Sequence, residues 1–172
     1  IYYQKGKSSY EVNYSDNEIK YIKGKQKYLE YCLDKININK FENINFLDIG
    51  SGEGWTLNHF KNLGCNIKGV DFSSYGMEKF NPQILDCLLK TDIYEFIKEE
   101  QKSDRSWDII HIGNVIEHVL APEILLTQLK SMLSSGGIII CTFPNDFSEF
   151  QTELMNLEKI KSEFWISIPD HI

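Results

Sequence analysis

The sequence predicts an α/β fold, a doubly wound sheet of parallel strands with helices on both faces, on three observations. Five short apolar runs, "NFLDIG", "CNIKGVD", "LLKTD", "WDIIHIGN" and "GGIIICTFPN", succeed one another from Asn45 onward. Amphipathic segments separate them, so strand and helix alternate, as crossover units between parallel strands require. The first run breaks into glycines at alternate positions, Gly50, Gly52 and Gly54. Such a turn after a first strand sits where doubly wound sheets bind ligands, beyond the carboxyl ends of the strands.

The elements follow in order. Residues 1–40 make a polar, tyrosine-rich N-terminal segment in which "GKQKYLEYCLDKI" (Gly24 to Ile36) has helical apolar spacing. Its Tyr2, Tyr3, Tyr10 and Tyr14, with the distant Trp165, are candidates for a lid over the cleft. Residues 45–145 form the ligand-binding core. Within it "GWTLNHFKNLG" places Trp55, Phe60 and Leu63 on one helical face and stops at Gly64. "DIYEFIKEEQ" can be capped by Asp92, and in "APEILLTQLKSMLSSGG" Pro122 suits a first turn and Gly136 a stop. In residues 146–172, Ser148 opens a capping box, "SEFQ", for a helix to about Lys161, followed by a substrate-side loop. The whole is read as one domain. Because it begins without Met, residues are expected before Ile1, and because five strands are readable, an edge hairpin is expected beyond Ile172.

Composition narrows the partners. A net charge of −7 opposes a general nucleic-acid or anionic-membrane binder, since both need a concentrated positive field. No apolar run reaches transmembrane length and no signal peptide is visible. Cys32, Cys65, Cys87 and Cys141 are far apart, form no CxxC pair, and read as free thiols of a cytoplasmic protein.

The glycine turn "GSGEG" admits three ligands. A triphosphate loop needs Gly-Lys-Ser/Thr, which is absent. A dinucleotide fingerprint needs a third glycine where Trp55 stands, and Asp48 and Glu53 would repel a diphosphate. S-adenosylmethionine carries no phosphate and has cationic sulfonium and ammonium groups, so nearby acids favour it while Gly50, Ser51 and Gly52 let backbone approach. Asp71, ending the second strand, can grip ribose hydroxyls, a feature that suits NAD equally. Phe72 can pack on adenine. Asp92, with Ile93 beside it, can receive the adenine amino group or simply cap a helix. "YGMEK" matches the Tyr-x-x-x-Lys pair of dehydrogenases, but too early in the chain to reach a reactive centre.

Taken in sequence, "FLDIGSGEGW", "GVDFS", "KTDI", "WDIIHIGNVIEHV" and "LSSGGIIICTFPN" resemble the successive motifs of class I S-adenosylmethionine-dependent methyltransferases, from Phe46 to Asn145. The resemblance implies a Rossmann-like sheet of seven strands, five of them readable here. It carries cofactor roles to Asp48, Gly50, Gly52, Asp71, Phe72, Asp92 and Asn114. The Glu-His-Val signature is similar to that of quinone-pathway O-methyltransferases and of enzymes from bacterial surface-glycan clusters. "WISIPDHI" also looks like a segment of the latter, implying a sugar or surface-polysaccharide precursor as acceptor.

Methyl transfer from sulfonium to a hydroxyl needs positioning and removal of one proton. On a helical turn of "NVIEHV", Asn114, Glu117 and His118 would share one face. In one version His118 is the general base, oriented by Glu117. In another, Glu117 and His118 bind a divalent metal with Asn114 or His171, as in the E-x-x-E-H motif of some relatives, although Asn114 replaces its first acid. In a third, Glu117 merely favours a helix start and His118 packs beneath the cofactor. His171 and Tyr3 are candidate substrate contacts, His111 reads as a satisfied core residue and His59 as helix surface. The function expected is O-methylation of a small polar acceptor. The rivals are an NAD-dependent oxidoreductase or epimerase and a non-catalytic cofactor-binding subunit.

Overall fold

The structure, a computed structural model, describes residues 13–145 and 148–160. The five apolar runs become β1 (Asn45–Ile49), β2 (Asn66–Asp71), β3 (Leu88–Lys90), β4 (Trp107–Gly113) and β5 (Leu133–Thr142). They pair in parallel throughout, in the order β3-β2-β1-β4-β5. The chain runs outward from β1 to β3 and then returns to β4, so the order reverses between β1 and β4. A crevice at their carboxyl ends is the geometric consequence.

Alternation along β1 and β4 supplies two cores. Leu47, Ile49, Ile110 and Ile112 point to the face covered by α4 (Ile93–Glu100) and α5 (Pro122–Lys130), meeting Phe96, Ile97, Leu125 and Leu129. Phe46 and Ile109 point the other way, towards α1 (Asp16–Lys35), α2 (Trp55–Asn62) and α3 (Tyr75–Phe80). There Phe46 and Phe60 are fully buried with ring centroids 4.2 Å apart. By the same alternation Asp48 and His111 emerge on the α1–α2 face, above that aromatic pair.

Several boundaries differ from expectation, each for a local reason. α1 starts eight residues early, because Ser15 and Glu18 form a reciprocal capping box there. It buries Gln26, Leu29 and Leu33, one stripe of the helix. On α2 the fully buried residues are Leu57 and Phe60, while Trp55 and Leu63 are half-buried. Gly136 does not stop α5, which ends at Lys130 with Ser131 as its cap. Instead it lies within β5 at a φ of 81°, where the β4–β5 register shifts between Trp107 and Ile109. α6 (Glu149–Asn156) opens as predicted at Ser148, whose hydroxyl accepts from Gln151 N–H. The four cysteines are free, and burial lifts the Cys65 thiol to about 11.

Candidate active site

A cleft of about 830 Å³ opens over the ends of β1 and β4, within the size range of small-molecule sites. Asp48, the loop Gly50–Gly52 and Asn114 line it, as do residues from α1, including Gln26. His111, Thr142, Trp55 and Glu53 complete the parts that matter chemically.

The loop is built from inside. Gly50, Gly52 and Gly54 all take positive φ. At Gly50 an added Cβ would collide with the Val115 side chain, so the chain after β1 must pass bare against the chain after β4. At Gly52 an added Cβ would meet nothing, because that side is open. Gly50 N and Ser51 N both donate to Val70 O, Gly54 N donates to Ser51 O, and Gly52 N donates to Asp71 Oδ2 at 2.9 Å. With these four N–H groups used within the fold, they cannot wrap a diphosphate. The cleft wall also holds Trp55 Nε1, buried with no hydrogen-bond partner among the described residues, a donor for a ligand. A phosphate-free nucleoside fits this lining.

Asp71 acts from behind the loop. Its other oxygen accepts Ser73 N–H at 2.9 Å, and the residue is only 4% exposed. Burial raises its pKa, against the two backbone donors that lower it. A carboxyl whose folded pKa is raised binds more protons folded than unfolded, so its contribution to stability falls as pH rises from the ordinary carboxylate range upward. Asp71→Asn removes that titration. Wild type should therefore lose stability relative to the variant between acid and neutral pH, as a series of urea melts would show.

The remaining sequence candidates scatter. Phe72, 44% exposed, and Asp92 and Ile93 at the start of α4 lie outside the lining of the cleft. Asp92 caps α4, accepting Tyr94 N–H at 2.8 Å and Glu95 N–H at 3.4 Å. The helical face expected in "NVIEHV" does not form. Asn114 adopts φ 53°, a left-handed conformation that asparagine tolerates, and only Ile116–His118 follows as a 3-10 turn. Glu117 and His118 therefore leave the cleft lining. Glu117 Oε2 is buried without a hydrogen-bond partner among the described residues, and its charge adds to burial in raising the Cys141 thiol. Among the described residues no three His, Cys, Asp or Glu side chains gather as a metal set. His171, Tyr3 and the other proposed lid residues Tyr2, Tyr10 and Trp165 lie outside the described residues.

Tyr14 does reach the site. Its hydroxyl donates to Glu53 Oε1 at 2.8 Å and its ring packs on Trp55 and Phe80. Burial, then the Glu53 carboxylate, pushes its pKa far above the phenol range. His111 is the largest departure. It is buried, as a core histidine would be, yet its ring lines the cleft and its Nδ1 is 2.7 Å from Asp48 Oδ1. His59 pairs instead with Glu30 Oε2 at 3.2 Å on the α1–α2 surface.

Known proteins share this fold. A methyltransferase-domain family model matches residues 20–168. The ubiquinone biosynthesis O-methyltransferase of Pelagibacter ubique is 24% identical over 160 residues, covering 92% of this chain and 65% of that protein. That of Maricaulis maris is 26% identical over 111 residues, 63% of this chain and 44% of that protein. The chain thus spans about half the length of the curated relatives it matches. Among solved structures, the magnesium protoporphyrin IX methyltransferase of Synechocystis PCC 6803 superposes with a TM-score of 0.59 at 12% identity, covering 90% of this chain and 72% of its own. A methyltransferase from Archaeoglobus fulgidus gives 0.55 at 23% identity, with 77% and 59% covered. At these identities the structural likeness is one of fold. No helix among the described residues is long and apolar enough to cross a membrane. The match over residues 20–168 removes the dehydrogenase and epimerase alternatives, and the chain belongs to the class I S-adenosylmethionine-dependent methyltransferases.

Proposed function

We propose that the protein transfers a methyl group from S-adenosylmethionine to a hydroxyl of a small acceptor. The observation that carries this reading is the cleft itself, about 830 Å³ over the β1 and β4 ends, with acids beside a glycine loop whose N–H groups are already used. When bound, the donor supplies an electrophilic methyl on a sulfonium. The chain's own part is to hold, orient and dehydrate. Gly52 leaves open space for the nucleoside to lie against backbone and Gly50 lets the loop pass Val115, while Asp71 fixes the loop through Gly52 and Ser73. Asp48 and Glu53 bring negative charge towards the donor's cationic end. Asn114 stands where the cleft meets the turn Ile116–His118. The base assigned to the acceptor's proton is His118, four residues on from Asn114 and beyond the cleft lining, so the acceptor has to extend past Asn114 to meet it.

The acceptor is read as a ring bearing a hydroxyl. Tyr21 and Tyr28 stand exposed on α1 and line the cleft together with Trp55, and flat aromatic surfaces suit a flat partner. The O-methyltransferases of ubiquinone biosynthesis among the relatives favour a phenolic hydroxyl over a sugar. The sugar or polysaccharide reading leans on "WISIPDHI", whose residues lie outside those described.

Release of S-adenosylhomocysteine, measured with panels of catechols, simple phenols and sugars, tests this. Turnover should appear with a phenolic acceptor, and His118→Ala should lower kcat by about 10²–10⁴ while leaving S-adenosylhomocysteine affinity intact. Binding without turnover on every acceptor would instead indicate a non-catalytic subunit.

A further inference from the structure

The pair Asp48–His111 has a position that the methyl-transfer step does not explain. β1 and β4 bring the two residues into register, 63 residues apart in sequence. Their side chains are 3% and 8% exposed, and both line the floor of the cleft beside the glycine loop. Asp48 can only accept at Oδ1, so the hydrogen of that bond sits on His111 Nδ1, which fixes the state of the other nitrogen. A neutral ring then presents a lone pair at Nε2, and an imidazolium presents an N–H donor there. The ring lies against Gly113 and Thr142: a Cβ at Gly113 would come within 3.1 Å of Nε2 and of the Thr142 hydroxyl alike.

The other charges around this floor are accounted for. Glu53 in the loop accepts from the Tyr14 hydroxyl, and Glu18 on α1 accepts from Ser15. Lys25, also on α1, lies over the Tyr21 ring at 5.8 Å, and Tyr21 is 69% exposed at the mouth. β5 brings Ile140 and Thr142 to this face, and Cys141 packs with the opposite core. A ligand with a zwitterionic amino-acid end therefore finds carboxylates for its ammonium. Among the described residues that line the cleft, the basic side chains are Lys25 on α1 and, at the floor, His111, which can become positive for the ligand's carboxylate.

We propose that His111, seated on Asp48, receives the carboxylate of the methyl donor's amino-acid end, and that binding takes up a proton at this ring. The inference rests on the cofactor reading above. Asp48 acts as a positioning residue: it holds the tautomer and stabilises the imidazolium that forms. The proton comes from solvent, no covalent bond changes, and the product is a hydrogen-bonded imidazolium–carboxylate contact at Nε2.

The test is calorimetry with S-adenosylhomocysteine and with 5′-methylthioadenosine, which has the same nucleoside and thioether but no amino-acid end. Each is titrated between about pH 6 and about pH 8.5 in buffers of different ionisation enthalpy. S-adenosylhomocysteine should bind about tenfold or more tightly at the acid end, the range of a charge-assisted hydrogen bond, with buffer-dependent heat showing proton uptake. 5′-Methylthioadenosine should show neither effect. His111→Gln, which keeps a partner for Asp48, should abolish the pH slope for S-adenosylhomocysteine and leave 5′-methylthioadenosine unchanged. Equal affinity at both ends without proton uptake, a slope that survives His111→Gln, or the same slope for both ligands would each overturn the proposal. A wild type that binds neither ligand would also remove the cofactor reading beneath it, an outcome distinct from pH-independent binding.

Discussion

Phe60→Ala should destabilise the protein by about 3–5 kcal/mol, the usual consequence of truncating a fully buried aromatic. Phe60 is on α2, stacked on Phe46 of β1 at 4.2 Å and edge-on to Phe41 at 5.7 Å, with no exposed surface. The cavity would open between the sheet and the helix that follows the glycine loop, beneath His111, whose ring is 6.4 Å from that of Phe46. A loss of this size is a large share of a domain's net stability of about 5–15 kcal/mol. Chemical denaturation checks it: the midpoint should drop sharply with little change in slope. The variant should also bind ligand more weakly, since the loop enters α2 through Gly54.

Gly50→Ala should be nearly as damaging and far more specific. Two effects add. A left-handed backbone, φ 71°, costs alanine about 1–2 kcal/mol, and forcing a methyl into a packed contact costs about 1–3 kcal/mol more. The packed contact is with Val115, which leans on the core beneath α5. Relief would require the chain after β1 and the chain after β4 to separate, and their separation defines the cleft. A fall in stability of about 2–5 kcal/mol should therefore accompany loss of most S-adenosylhomocysteine affinity. The same change at Gly52 has open space before it, so the two positions differ in a paired experiment: Gly52→Ala should strain the backbone and obstruct ligand without unseating Val115.

These expectations also mark what the sequence makes legible. The five strands, their parallel sense and the glycine turn are written in local patterns: apolar runs, amphipathic spacers and a cluster of residues tolerant of positive φ. The capping serines and aspartates are local too. Ser148 and Asp92 were readable from a few neighbours, but Ser15 and Glu18 lay in a polar, tyrosine-rich stretch that masked the helix start. "NVIEHV" has good spacing for a helix, but Asn114 turns left-handed at φ 53°, next to Val115, which packs against Gly50 in a contact between distant parts of the chain that no local pattern encodes.

The Asp48–His111 pair shows the deeper limit. A single histidine in an apolar strand reads as core, and burial at 6% agrees. What changes its meaning is a partner three strands away in sequence order but adjacent in the sheet. Only the β1–β4 register brings them together, and no local signal encodes a register between strands 63 residues apart. Asp71 teaches the converse. Its place at the end of β2 was legible, while its turn inward to hold Gly52 and Ser73 depends on the loop's final path.

By the function proposed here, the space over β1 and β4 accepts a phosphate-free nucleoside with a charged amino-acid end. Titrating the wild-type protein with S-adenosylhomocysteine and, separately, with NAD addresses it most directly. Saturable one-to-one binding of the first and no measurable heat from the second are expected. Tight binding of NAD, or of neither compound, would contradict it.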